Sequence, residues 1–123
     1  IFDVECDVLS PCALGSALND DTISRLRALV VAGAANNQLA EPRHGDDLNA
    51  RGILYAPDYA INAGGLINVA LELQTYDAAK AREQTMRVYD TIYEIGQRSL
   101  QTLTPTYRVA DLLVEEKLAQ VVR

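Results

Sequence analysis

The chain is poor in the residues that most enzyme signatures require. Its 123 residues include one histidine, His44, so the paired histidines of an H-E-x-x-H zinc site are absent. The seven glycines stand at 15, 33, 45, 52, 64, 65 and 96. That spacing contains no G-x-G-x-x-G turn, no Walker loop and no G-x-S-x-G nucleophile elbow. Cysteines are limited to Cys6 and Cys12. An extended segment between them would separate them by up to about 20 Å at ~3.3 Å per residue, too far for a disulfide. Two thiols are also too few for a stapled secreted scaffold, and reduced cytoplasmic thiols are expected. No apolar run approaches the roughly 20 residues of a membrane span. The eleven Lys and Arg are scattered against seventeen Asp and Glu, for a formal net charge of −6, which argues against a nucleic-acid partner.

What is present is a globular composition, 49% hydrophobic and 23% charged, at a length that suits one compact unit. The chain opens at Ile1 without Met and runs almost at once into a strand-like segment, as an excerpt of a longer protein would. Val8-Leu9-Ser10, closed by Pro11, reads as a first strand. Asn19-Asp20-Asp21 caps a helix through about Ala28. Leu29 to Gly33 is a continuous apolar run, as expected of a strand buried on both faces. A helix is expected from Glu41 to Arg51, stopped by Gly52, then a third strand over Ile53–Ala56 and a helix from about Gly65 to Leu73.

Beyond this point the pattern changes. From Asp77 to about Leu103 the set Ala81, Thr85, Val88, Ile92, Ile95 and Ser99 steps by four and three, the mark of one long amphipathic helix. After Thr104-Pro105, a last helix carries Val109, Ala110, Leu113, Val114, Leu118 and Val121 inward. Strands alternating with helices imply parallel pairing and an α/β sheet. Three strands match one half of a doubly wound, Rossmann-type sheet, the second half, followed by long C-terminal helices. Residues 1–76 are expected to form this partial dinucleotide-binding domain and residues 77–123 the helices that pack on it. The first strand would then present an unpaired apolar edge.

In open parallel sheets ligands bind beyond the carboxyl ends of the strands. The segments there are Pro11 to Ser16, Ala34-Ala35-Asn36-Asn37 and Asn62-Ala63-Gly64-Gly65. All are built of small residues, and two carry asparagines, which hydrogen-bond without charge. A carboxamide or a small carboxylate would suit them. Each piece also has a plain structural reading: a glycine pair as a turn, Asn36-Asn37 as a helix cap, Cys12 as a buried thiol. His44, among Arg43, Asp46 and Asp47 in a helix's first turn, reads as a solvated surface residue. Glu115-Glu116 reads as a solvated face, and Tyr89 and Tyr93, four apart, as packing or interface residues.

Three segments, Ser10-Pro11-Cys12-Ala13-Leu14-Gly15, Val31-Ala32-Gly33-Ala34-Ala35-Asn36-Asn37-Gln38-Leu39 and Gly52 to Asp58-Tyr59 through Asn62-Ala63-Gly64-Gly65-Leu66-Ile67-Asn68-Val69, resemble the Glu/Leu/Phe/Val amino-acid dehydrogenases, on the side of leucine dehydrogenase and its branched-chain relatives. The resemblance covers essentially the whole chain. It implies NAD-dependent oxidative deamination of an L-amino acid to its 2-oxo acid and ammonia, in a homo-oligomeric enzyme. It further implies that Ala13, Leu14, Ala34, Ala35, Asn36 and Asn62 bind the cofactor, Asn62 through its carboxamide. Asn36, Leu66 and Val69 would bind substrate, the last two lining a pocket for an aliphatic side chain; ordinary helix core is the competing reading for both. The catalytic lysine and aspartate of such enzymes belong to a separate N-terminal domain. Lys80 and Lys117 match no such motif, so no catalytic residue and no metal site is expected in this chain. Two departures stand out: Ser16 replaces a usual second glycine, and Leu71 a common helix aspartate. A relative preferring phenylalanine, tryptophan or valine, or a truncated non-catalytic binding or assembly module, are the alternatives.

Overall fold

A computed structural model describes residues 1–73 and 75–121; Gln74, Val122 and Arg123 lie outside the described residues. The elements run β1 (Cys6–Leu9), α1 (Asp20–Arg25), β2 (Ala28–Val31), α2 (Arg43–Ala50), β3 (Leu54–Tyr55), α3 (Asp58–Ile61), α4 (Gly64–Glu72), α5 (Ala78–Thr102) and α6 (Thr106–Val121). The three strands form one parallel sheet in the order β1-β2-β3. Val8 sits opposite Val30, and Val30 opposite Leu54. The α/β class and a three-stranded parallel sheet followed by long helices are therefore as expected.

One face of the sheet carries the core. Leu9, Val31 and Tyr55 pack there with Leu18, Ile23, Leu26 and Leu48, each buried leucine contributing about 1.5–3 kcal/mol by its removal from water. The opposite face bears Val8, 52% exposed, and Leu54, 41% exposed. Helices α5 and α6 reach the molecule beside β3 and α3, where Ile95, Val109, Ala110 and Leu113 form a second cluster. The Thr106 hydroxyl, buried, donates to the Tyr55 carbonyl and ties the start of α6 to β3.

Several expected boundaries shift, each for a visible reason. Helix α1 ends at Arg25, so Ala28 belongs to β2 and not to the helix. The Asn19 side chain accepts from the Asp21 and Thr22 N–H groups while the Thr22 hydroxyl accepts from the Asn19 N–H, a capping box that stabilises so short a helix. Strand β1 begins earlier, at Cys6, and stops before Ser10. Helix α2 begins at Arg43 rather than Glu41. The one-turn helix α3 was not foreseen; Pro57 sets its entry. In α6, Val114, Leu118 and Val121 are exposed, because the helix packs through Val109, Ala110 and Leu113. Leu71, the departure from aspartate, is the buried residue of α4, where an apolar side chain fits.

His44 is corrected most sharply. It is 1% exposed, not solvated. Its Nδ1 accepts the Glu41 N–H at 2.9 Å, which satisfies one donor at the start of α2. A neutral imidazole that accepts at Nδ1 carries its proton on Nε2, and Nε2 lies 3.4 Å from Asp20 Oδ1. Asp20, His44 and Asp47 lie close enough to suggest a cation site. The tautomer places a proton where a metal would bind, and Arg43 already grips Asp20 through two contacts of 2.7 Å. That guanidinium holds the Asp20 carboxyl down to about 2.

Ser16 (φ 57°) and Leu103 (φ 54°) are both left-handed. The serine thus stands at a backbone position that favours the glycine of the resemblance. Leu103 closes α5 with its side chain 85% exposed, so it gains no packing for the strain. Leu103→Gly is expected to stabilise the fold by about 0.5–1 kcal/mol, raising Tm by roughly 2–4 °C. A fall in Tm in thermal melts would contradict this.

Candidate functional site at the strand tips

Because the strands are parallel, the segments that follow β1, β2 and β3 leave the sheet at one end. The first two continue side by side beyond the ladder. The Ala35 N–H donates to the Pro11 carbonyl at 2.9 Å, and the Ser16 N–H to the Asn37 carbonyl at 2.7 Å. Leu18 and Leu39 then form a parallel bridge. Gly33 is required for this approach: a Cβ there would lie 2.2 Å from the Pro11 carbonyl oxygen. Asn37 takes the left-handed conformation that asparagine tolerates (φ 51°) and turns the chain away from Asn36.

The third segment joins through the asparagines. Asn62 Nδ2 donates to Asn36 Oδ1 at 2.6 Å. This contact couples the outward faces of the two amides. With its oxygen engaged, Asn36 presents its NH2 group as a donor; with its nitrogen engaged, Asn62 presents its carbonyl oxygen as an acceptor. Asn36, Asn62, Leu66 and Val69 line one cleft of about 660 Å³, together with Asn37, Asp58 and Tyr59. Leu66 and Val69 are 74% and 54% exposed, so they belong to the cleft wall and not to a helix core.

Ala13 and Leu14 line a different cleft, with Pro11, Cys12 and the residues around Phe2. Ala34 is exposed at the tip of β2, whereas Ala35 is buried and lines neither cleft. Residue-level reading missed Asp58 and Gln38. Both are buried, and Gln38 donates its main-chain N–H to Asp58 Oδ2 at 3.0 Å. The only residue-level signal is an acidic residue directly after Pro57, just past the third strand. Tyr59 was also missed. Its hydroxyl donates to Asp111 Oδ1 at 2.9 Å, and burial, then that contact, push its phenol well above the usual range.

A profile of the Glutamate/Leucine/Phenylalanine/Valine dehydrogenase family matches residues 1–116. The chain belongs to this family. It is 51% identical to leucine dehydrogenase of Bacillus cereus over 121 residues, 98% of the chain and 33% of that protein. It is 48% identical to phenylalanine dehydrogenase of Caldalkalibacillus thermarum over 123 residues, 100% of the chain and 33% of that protein. Among solved structures it resembles L-tryptophan dehydrogenase of Nostoc punctiforme, with a TM-score of 0.94 and 44% identity over 98% of the chain and 37% of that structure's chain. The chain thus spans about a third of the length of the curated relatives it matches.

Cys12 adds a reactive group at the tip of β1. It is exposed; its sulfur accepts the Ala34 N–H at 3.4 Å and lies 3.3 Å from the Ser10 hydroxyl. The Ala34 N–H first, and the Ser10 contact second, hold its thiol below the usual range. Alkylation of Cys12 is expected to reach half its maximal rate at lower pH in the folded protein than in urea. Identical profiles would show that the Ala34 contact does not form.

Proposed function

We propose that the full-length protein catalyses the NAD-dependent oxidative deamination of a branched-chain L-amino acid to its 2-oxo acid and ammonia. The observation that carries this reading is the Asn62–Asn36 bond of 2.6 Å, which leaves one outward donor and one outward acceptor at the cleft. An NH2 donor suits a substrate carboxylate, and a carbonyl acceptor suits the carboxamide of a nicotinamide. That donor set fits the nicotinamide end of the dinucleotide. When bound, NAD supplies a hydride acceptor for the substrate α-carbon. Asn62 would hold its carboxamide, with Asn36 beside it, Ala34 exposed at the next strand tip, and Ala13 and Leu14 lining the neighbouring cleft. The small side chains at the strand tips leave room for a flat ring.

On the substrate side, Asn36 binds the carboxylate while Leu66 and Val69 offer aliphatic surface to the side chain. An aliphatic wall favours leucine, isoleucine or valine over a charged substrate such as glutamate. The similarity to phenylalanine and tryptophan dehydrogenases keeps an aromatic-preferring specificity as the second reading. The chemical groups that move protons lie, on this reading, in the part of the enzyme outside this chain. Free Cys6 and Cys12 suit a cytoplasmic, reducing compartment, and the enzyme is expected to act as a homo-oligomer.

The test is kinetic. With the full-length protein and NAD, leucine should be used with higher kcat/KM than glutamate. Asn36→Ala should lower kcat/KM about 10–100-fold, matching the ~1.5–3 kcal/mol of a hydrogen bond to a charged group. Unchanged kinetics would remove Asn36 from the site, and a preference for glutamate would overturn the pocket assignment.

A further inference from the structure

The asparagine pair rests on a buried layer of hydrogen bonds that the reaction as read above does not use. Gln38 is fully buried. Its Nε2 donates to the Gly33 carbonyl at 2.7 Å and to the Ala35 carbonyl at 3.0 Å. The side chain therefore braces from within the turn that holds Asn36 outward. Asp58, 8% exposed, lies at the wall of the cleft. Its Oδ2 accepts the Gln38 N–H at 3.0 Å and its Oδ1 the Tyr59 N–H at 2.9 Å. One carboxylate thus takes a main-chain donor from the β2 segment and another from α3. Asn36 lies two residues before Gln38. Asn62 closes the turn that Asp58 opens, donating its N–H to the Asp58 carbonyl at 3.0 Å.

A carboxylate this buried is costly unless its oxygens are filled. It suits this position because it is acceptor-only, and both partners are donors. An asparagine would offer one acceptor oxygen and turn an NH2 group toward the other N–H. Tyr55 completes the layer: its hydroxyl accepts the Asp58 N–H at 3.2 Å, and burial, then the Asp58 charge, push its phenol well above the usual range, so it stays protonated.

We propose that Gln38 and Asp58 are positioning residues that set the spacing and the outward orientation of the Asn36–Asn62 pair. The inference rests on the reading of Asn36 and Asn62 given above. Neither residue needs to touch substrate; both act through the asparagines, by holding the two strand-tip segments at one separation.

The experiment is a double-mutant cycle on the full-length protein with Asp58→Asn, Asn36→Ala and the combination. Asp58→Asn is expected to lower kcat/KM for leucine at least tenfold when Asn36 is present, and less than threefold when it is Ala. The rise in Tm caused by saturating NAD should also shrink in Asp58→Asn, a readout independent of turnover. Gln38→Met, which keeps the volume and removes the donors, should show the same dependence on Asn36 and serves if Asp58→Asn does not fold. Equal fold-losses in both backgrounds, or a lower Tm with kinetics and NAD shift unchanged, would overturn the clamp. Loss of activity in Asn36→Ala with additive Asp58→Asn overturns the clamp alone, whereas an inert Asn36→Ala overturns the underlying reading of the site.

Discussion

The parallel direction of β1, β2 and β3 is the constraint on which everything else depends. Parallel strands must all end at the same edge, so whatever follows them is gathered there without any further device. Pairing Val30 with both Val8 and Leu54 aligns the three tips. The close approach at Gly33 and the bridge between Leu18 and Leu39 then extend that alignment past the ladder into the segments themselves. The site is a continuation of the sheet by other hydrogen bonds.

The functional consequence is orientation. An isolated asparagine offers donor and acceptor equally, and rotation of its amide exchanges them. Two asparagines bonded to one another can turn only together, so the cleft always presents a donor at one of the two points and an acceptor at the other. On the proposed function, neutral groups suit a cleft that would take a carboxylate and a carboxamide side by side, since neither amide carries charge. The aliphatic wall of Leu66 and Val69 is exposed within this chain, which accords with a surface that faces something other than the chain's own core.

Much of this was legible in the residues. The three strands, the crossover helices, the long amphipathic helix and the convergence of the tips followed from apolar periodicity and from the residues at each strand end. Boundaries of short elements were not, because α1 and α3 are held by side-chain caps and a proline entry that periodicity does not register. His44 was misread since polar neighbours in sequence suggested solvent, while its ring turns inward to accept a main-chain N–H. Gln38 and Asp58 carry no residue-level signal for a related reason: polar residues buried to satisfy backbone groups have no hydrophobic signature, and the contact that joins the two spans 20 residues of chain. The sequence shows Ser16 as a departure from glycine, but only the backbone shows that it occupies a left-handed position.

The most direct measurement is the response of the Asn36 and Asn62 side-chain amide signals in nitrogen-15 spectra of the full-length protein, with the asparagines assigned by substitution. The account predicts that NAD shifts both signals together, and that a branched-chain 2-oxo acid added afterwards moves Asn36 more than Asn62. Saturating NAD that leaves both amides unmoved would contradict it.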